Sequence, residues 1–378
     1  MTPDGVPGSP AAVLRLVQVG AGAMGRAWLR TIRESPDAEL VGLVDLDLAA
    51  ARQAADDNGF PRVPVAISLE EVLERVDADA VVNVTVPTAH RTVAIGALRA
   101  GLPVLSEKPM AESVGSALAM IAAAERNGRL LMVSQSRRYF RQLTAFRQLI
   151  SGIGTIGLVH CELFRGNHFG GFREQMDYPL LVDMAIHQFD LARDLIGREP
   201  VAVQCESFNP TWSWYAGDAS ASVMVEFEGG ARFSFVGSWC SIGHETSWNG
   251  SWHVSGADGT SSWDGDGAPI AVAADGAVAQ APPGADPEEI AGALAEFVRA
   301  VGTGSIPSGE AHSNVYSLAM VEAAIHSAEE GRRVSISEVL GDAYEVAVRS
   351  EDDPDIRAVL SGWPSVEEAV GSTRLTAQ

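Results

Sequence analysis

Val13-Leu14-Arg15-Leu16-Val17-Gln18-Val19-Gly20-Ala21-Gly22-Ala23-Met24-Gly25 carries a short apolar run straight into three glycines, and a helical pattern follows at about Met24–Arg33. A run of this length bounded by glycine reads as a buried strand. Gly20 permits the tight turn, Gly22 lets a backbone approach a pyrophosphate, and Gly25 lets helix and strand pack closely. Ala23 and Met24 open the helix, whose free N–H groups and positive dipole end suit phosphate. Asp45 ends the next apolar run, Leu40–Val44, twenty residues after Gly25. A carboxylate placed there accepts both ribose hydroxyls of a dinucleotide and repels a 2′-phosphate. Leu46 and Asp47 supply no arginine to welcome that phosphate, so the expected cofactor is NAD rather than NADP.

Outward from this loop, short apolar runs alternate with helical patterns, the signature of βαβ units and a parallel sheet. Further strands are expected at Val65–Ile67, Ala80–Val86, Pro103–Leu105 and Leu130–Ser134, with helices at about Ala49–Asn58, Leu69–Val76, His90–Ala100 and Val114–Asn127. Ser68-Leu69-Glu70-Glu71 reads as a capping box, and Gly101 and Gly128 stand where helices need a left-handed terminus. The fold class is α/β, with an N-terminal Rossmann domain over 13–136. Beyond Ser136 the rhythm changes. A helix (Leu143–Ile150), a strand (Gly157–Phe164), a loop rich in Gly, His and Phe, and a helix (Leu180–Leu195) lead into β-rich sequence up to about Val254. There Ala219–Phe227 and Ala231–Trp239 read as a hairpin. Helices at Pro287–Val301 and Asn314–Glu330 close a second domain over 137–340. Residues 1–12 read as a disordered leader and 341–378 as a polar C-terminal extension.

Composition narrows the function. The 378 residues suit two domains, and a net charge of −22 disfavours nucleic acid and anionic membranes. No stretch approaches the roughly 20 apolar residues of a membrane span. Cys161, Cys205 and Cys240 lack metal-ligand spacing and fit packed thiols in a cytoplasmic, reducing setting. No metal is expected. Of 27 basic residues only Lys108 is lysine. Arginine cannot release a proton near neutral pH, whereas lysine can when its surroundings lower its pKa.

That lysine lies in Ser106-Glu107-Lys108-Pro109, at the carboxyl end of a strand, where open α/β sheets bind ligands. Asp183 and His187, in Leu181-Val182-Asp183-Met184-Ala185-Ile186-His187, are four apart and share a helix face. Together they suit proton abstraction from an alcohol as hydride leaves: histidine as the base near neutral pH, lysine stabilising the developing alkoxide. The chain here resembles the Gfo/Idh/MocA oxidoreductases, relatives of glucose–fructose oxidoreductase and inositol dehydrogenase. The resemblance spans roughly Leu14 to Val334. It rests on G-A-G-A-M-G, V-T-V-P-T-A-H at Val84–His90, E-K-P at Glu107–Pro109, S-R-R-Y at Ser136–Tyr139 and D-M-A-I-H at Asp183–His187. It implies Lys108 as catalytic lysine, His187 as acid/base, and Asp183 holding a substrate hydroxyl or orienting the pair. It further implies a second domain with a large, mostly antiparallel open sheet that serves both substrate binding and oligomer contacts, giving a homodimer or homotetramer. Ala185 departs from the glycine usual there, adding a methyl near the site.

Other candidates keep two readings each. Val86, Pro87, His90 and Glu107 stand near the expected cofactor, with packing or capping the alternative for His90. Arg137 and Arg138 contact substrate or cofactor, or form an ion pair at the domain junction. His168 and Tyr178 are substrate-contact candidates. Six of the eight tryptophans fall between Trp212 and Trp263, for sheet packing and an interface, with Trp248 or Trp252 also available for sugar stacking. The expected activity is oxidation of a secondary hydroxyl of a sugar, inositol, related polyol or glycoside. The alternatives are a redox-assisted glycosidase with tightly held NAD, against which Lys108 speaks, and a non-catalytic NAD-binding regulator.

Overall fold

A computed structural model describes residues 13–371; the leader read at 1–12 and the last residues of the chain, 372–378, lie outside them. The first half is a doubly wound sheet of β1 (Leu14–Val19), β2 (Ala38–Val44), β3 (Val65–Ala66), β4 (Ala80–Asn83), β5 (Val104–Ser106) and β6 (Leu131–Val133). All pair in parallel, in the order β3-β2-β1-β4-β5-β6. The crossovers are α1 (Ala23–Glu34), α2 (Leu48–Asp57), α3 (Leu69–Leu73), α4 (Pro87–Arg99) and α5 (Val114–Asn127). Local chemistry sets these ends. Ser68 and Ser113 accept the Glu71 and Ser116 N–H groups as N-caps, and Gly128 closes α5 in the left-handed conformation. The chain order reverses between β1 and β4, which opens the ligand crevice at their carboxyl ends.

The second half holds α6 (Arg141–Ile150), β7 (Ile156–Phe164), α7 (Ile186–Ile196), β8 (Pro200–Phe208), β9 (Ser220–Phe227), β10 (Arg232–Ser238), β11 (Ser251–Gly256), β12 (Gly259–Trp263), β13 (Ile270–Ala273), β14 (Val278–Ala279), α8 (Glu289–Thr303), α9 (Ala311–Glu330) and β15 (Val334–Ser335). The strands form one sheet, β14-β13-β12-β11-β7-β10-β9-β8-β15, antiparallel except where β10 runs parallel to β7. Its inner face packs Phe233, Phe235, Trp252 and Val254 against Phe189 of α7 and Phe146 of α6. Trp252 is therefore core, its indole N–H donating to the Asn249 carbonyl, and it is not available for sugar stacking.

Two features lie beyond the linear domain reading. Helix α8 returns to the first sheet, where Leu294 and Phe297 share a core with Leu16, Trp28 and Leu29. The segment read as an extension from 341 is folded through its described part: α10 (Ile336–Ser350), α11 (Pro354–Gly362) and α12 (Val366–Gly371) pack on α5 and α9. Ile356, Leu360, Trp363, Val366 and Val370 are buried there, so these short helices are amphipathic rather than polar throughout. They are tied down electrostatically as well. The Trp363 indole donates to Glu125, and buried His312 bridges Glu125 and Glu310. Burial alone would depress His312, but the two carboxylates raise it to about 9.

The domain junction holds a buried ion pair. Arg138 donates through Nε and Nη2 to Asp190, each at 2.7 Å, and through Nη1 to the Ser308 carbonyl at 2.6 Å. Ser317 Oγ supplies Asp190 a further hydrogen bond at 2.7 Å. Burial would raise Asp190, but the Arg138 guanidinium overrides it and holds the carboxyl below its ordinary range. Of the two junction arginines, Arg138 is the structural one.

Candidate active site

The glycine loop divides its tasks by geometry. A Cβ added at Gly20, whose φ is +104°, would fall 2.4 Å from the Val84 carbonyl oxygen, and one at Gly25 would fall 2.3 Å from that of Gly20. A Cβ at Gly22 would meet nothing within 4 Å. Gly20 and Gly25 thus serve the fold, while Gly22 faces open space at the start of α1, where a pyrophosphate needs the backbone bare. Gln18, buried in β1, pins the turn by donating to the carbonyls of Gly20 at 2.8 Å and Gly25 at 2.9 Å. Sequence reasoning missed it; its signal is a polar residue within the buried stretch Leu16–Val19 of that strand.

Asp45 follows β2, accepting from Ala21 N–H at 2.7 Å and Asp47 N–H at 3.0 Å. A carboxylate has about four acceptor sites, so these bonds hold it in place and leave capacity for ribose hydroxyls. Met24, Leu46 and Val86 are exposed along the same crevice, as is Ile67 at the end of neighbouring β3, which the sequence reading did not single out. Exposed apolar side chains at adjoining strand ends suit the flat faces of a dinucleotide. The residues present fit a nicotinamide dinucleotide.

The lysine turn is braced from behind. Glu107 is buried, accepting from the Trp28 indole N–H at 2.8 Å and from the Lys108 N–H at 3.1 Å. Burial pushes its carboxyl up, opposed by Trp28 and Lys108. Pro87 opens α4, and His90 within that helix is fully buried. Its ring nitrogens lie 2.8 Å from the Pro109 carbonyl and 3.0 Å from that of Thr85. Burial keeps His90 below the usual histidine range. Neither Glu107 nor His90 turns its polar atoms to the crevice; both grip the backbone that carries Lys108.

Lys108 reaches from the first sheet to the second domain. Its Nζ donates to the Asp183 carbonyl at 2.9 Å and lies 3.5 Å from Asp183 Oδ1. Asp183 sits in a wide, π-type turn, Leu180–Ala185, that leads directly into α7, where the periodicity predicts one continuous helix. Such turns recur at functional sites because they re-aim side chains. His187 follows in the first turn of α7, almost wholly buried, with Nδ1 lacking any partner among the described residues. Burial, then the charges of Lys108 and Arg137, hold it well below the usual histidine range. A neutral, unpartnered imidazole beside a lysine and a carboxylate is equipped to receive a proton.

Arg137 Nη1 donates to the Trp248 carbonyl and to Asn249 Oδ1, both at 2.6 Å, and its Nη2 lies 3.7 Å from Met184 Sδ. Arg173, which the sequence did not flag, donates through Nε to Asp183 Oδ2 at 2.8 Å. His168 stacks on Trp214 with ring centroids 3.7 Å apart. Tyr178 is turned towards α9, donating to Glu329 at 3.1 Å. Trp248 stands at the rim beneath Arg165, 4.2 Å from the guanidinium carbon to the ring centre.

The profile of the oxidoreductase family with NAD-binding Rossmann fold, GFO_IDH_MocA, matches residues 14–135, and that of the GFO/IDH/MocA C-terminal domain matches 144–262. This chain belongs to the Gfo/Idh/MocA family. Inositol 2-dehydrogenase of Arthrobacter sp. (strain FB24) is 28% identical over 85% of this chain and 96% of its own length. Inositol 2-dehydrogenase 1 of Paenarthrobacter aurescens is 30% identical over 57% of this chain, and the match spans 64% of that protein, just under two thirds. A crystal structure of an oxidoreductase from Agrobacterium radiobacter in complex with NAD+, L-tartaric acid and magnesium superposes with a TM-score of 0.79 at 20% identity, over 87% of this chain and 100% of that one. In this Gfo/Idh/MocA member, the glycine loop after β1 and the Lys108 turn after β5 both lie at the carboxyl ends of strands of the first sheet. Among the described residues no helix is long and apolar enough to cross a membrane.

Proposed function

We propose that this protein is an NAD-dependent dehydrogenase that oxidises a secondary hydroxyl of a sugar or polyol. One observation carries the reading: Lys108, fixed at the carboxyl end of β5, is hydrogen-bonded to Asp183 in the turn that presents His187. That joins the glycine-loop crevice to a proton acceptor across the domain boundary. Bound NAD supplies the hydride acceptor. His187 takes the hydroxyl proton on its imidazole at Nε2, since Nδ1 is sealed in the interior. As hydride leaves the carbon, the oxygen becomes a carbonyl, and Lys108 Nζ stabilises the charge developing on it. An ammonium has three donors, so Nζ can keep its bond to Asp183 while meeting substrate. Asp183 Oδ1 and Oδ2 hold a neighbouring hydroxyl. The names of the relatives, inositol 2-dehydrogenase and the D-apiose dehydrogenase of Paraburkholderia graminis, support a polyhydroxylated substrate. NADH formation with a panel of sugars and polyols tests the reading.

NAD should be preferred over NADP. Asp45→Ala should erode that preference mainly by weakening NAD, read as dissociation constants for both cofactors. Equal affinities in the wild-type protein would contradict the role given to Asp45.

The open face of the second sheet leaves Leu158, Met224 and Val201 exposed, a patch that supports burial against another copy. The expected assembly is a dimer or tetramer through this sheet. Light scattering at micromolar concentration checks it, and a monomer there would overturn it.

A further inference from the structure

The charges around the proposed reacting centre do not balance. Asp183 is shared by two cations, Lys108 at 3.5 Å and Arg173 at 2.8 Å. Arg137 stands beside His187 and is held by a carbonyl, an amide oxygen and a thioether, with its Nε buried and unpartnered among the described residues. Burial lowers Arg137 to about 10, opposed chiefly by Glu289, which acts only through space and is exposed. Arg165, on the loop that carries Arg173, is matched by Glu245. Among the described residues Asp183 is the one carboxylate in ion-pair contact with Lys108 and Arg173, and Arg137 has none in contact, a local excess of positive charge in a chain whose net charge is −22. Buried or half-buried charge without a counter-ion is costly, and such an excess is relieved by an anion.

Arg173 has the geometry to take it. Only its Nε is engaged; Nη1 and Nη2 make no hydrogen bond among the described residues. The guanidinium is stacked on Phe172 and Phe169, at 4.8 and 5.6 Å, so its free fork edge is oriented in advance. The loop beneath it is fastened at both ends. Tyr215 donates to the Asn167 carbonyl at 2.8 Å, and Ala216 N–H donates to that of Glu174 at 2.8 Å. A planar fork presented edge-on matches a carboxylate bidentately.

We propose that the substrate of this site carries a carboxylate, which Arg173 grips through Nη1 and Nη2 with Arg137 supplying further positive charge behind it. The substrate class is then a sugar acid, an aldonate or uronate, rather than a neutral polyol. This rests on the dehydrogenase reading for its site but is tested by binding, apart from turnover. Titration calorimetry of D-gluconate, D-glucuronate, D-glucose 6-phosphate and myo-inositol into the protein, with and without NADH, separates the possibilities. At least one of the two acids should bind about tenfold or more tightly than inositol. That acid should lose about tenfold or more in Arg173→Gln, as expected for a charge-assisted pair, with partial recovery in Arg173→Lys and a clearly smaller loss for inositol, which feels the change only through Asp183. Inositol binding as tightly as both acids, the phosphate ester binding tightest, equal losses for acid and inositol in Arg173→Gln, or no binding of either acid would each overturn it. Acid binding without NADH formation would instead count against the dehydrogenase reading alone.

Discussion

Lys108→Arg should lower turnover by roughly the 10²–10⁴-fold of a lost acid/base group while leaving NAD affinity near wild type. The substitution keeps the charge but replaces a compact, three-donor ammonium by a larger planar fork that does not give up a proton near neutral pH. In a chain with 26 arginines and one lysine, a role needing only positive charge would be met by arginine. His187→Ala should do comparable damage, and the double variant should be little worse than either, because both groups serve one transfer. NAD affinity should survive, since Gly22, the start of α1 and Asp45 lie on other segments. Wild-type kcat/KM should also show where His187 titrates. Its folded pKa is depressed by burial, Lys108 and Arg137, so the neutral base persists at neutral pH and below. The acid limb should therefore fall below pH about 6.5, the unperturbed histidine value. A limb above that value would contradict the buried neutral imidazole.

Asp190→Ala should destabilise the fold by about 3–5 kcal/mol, the cost of leaving a buried charge without its partner. Arg138 would keep only the Ser308 carbonyl of its present acceptors. Because the pair joins the S-R-R-Y segment to α7, the loss should appear as a lower denaturation midpoint. Replacing both residues by leucine should recover most of it, since an apolar pair of similar volume avoids the desolvation cost. A single variant as stable as wild type would mean that solvent reaches Arg138.

Much of the fold is written locally. Val19-Gly20 marks the end of β1, Ser113 and Gly128 bracket α5, and the spacing from Gly25 to Asp45 fixes where the second strand ends. Short-range signals mark the C-terminal helices too: Ser335-Ile336-Ser337-Glu338 caps α10 and Asp353-Pro354 opens α11. Their charged outer faces mask the buried stripe of Ile356, Leu360 and Val366, which has meaning only once α5 and α9 are beside it. Within the site, Lys108, Asp183 and His187 stand out by residue type and motif. Gln18, Trp28 and Arg173 do not, because their tasks appear only once the glycine turn, the lysine turn and the loop before α7 are folded. Trp28 meets Glu107 across 79 positions. The wide turn at Leu180–Ala185 is invisible for a related reason, since its apolar spacing also fits an ordinary helix.

The most direct test of the central claim is NADH formation, followed by absorbance, when the protein is mixed with NAD and a panel of polyols, sugars and sugar acids. The assay is run beside Lys108→Arg protein shown to be folded and to bind NAD. Wild type should form NADH from at least one secondary alcohol, and the variant should do so at a rate at least about a hundredfold lower. No NADH from any member of the panel, or equal rates from the two proteins, would contradict that claim.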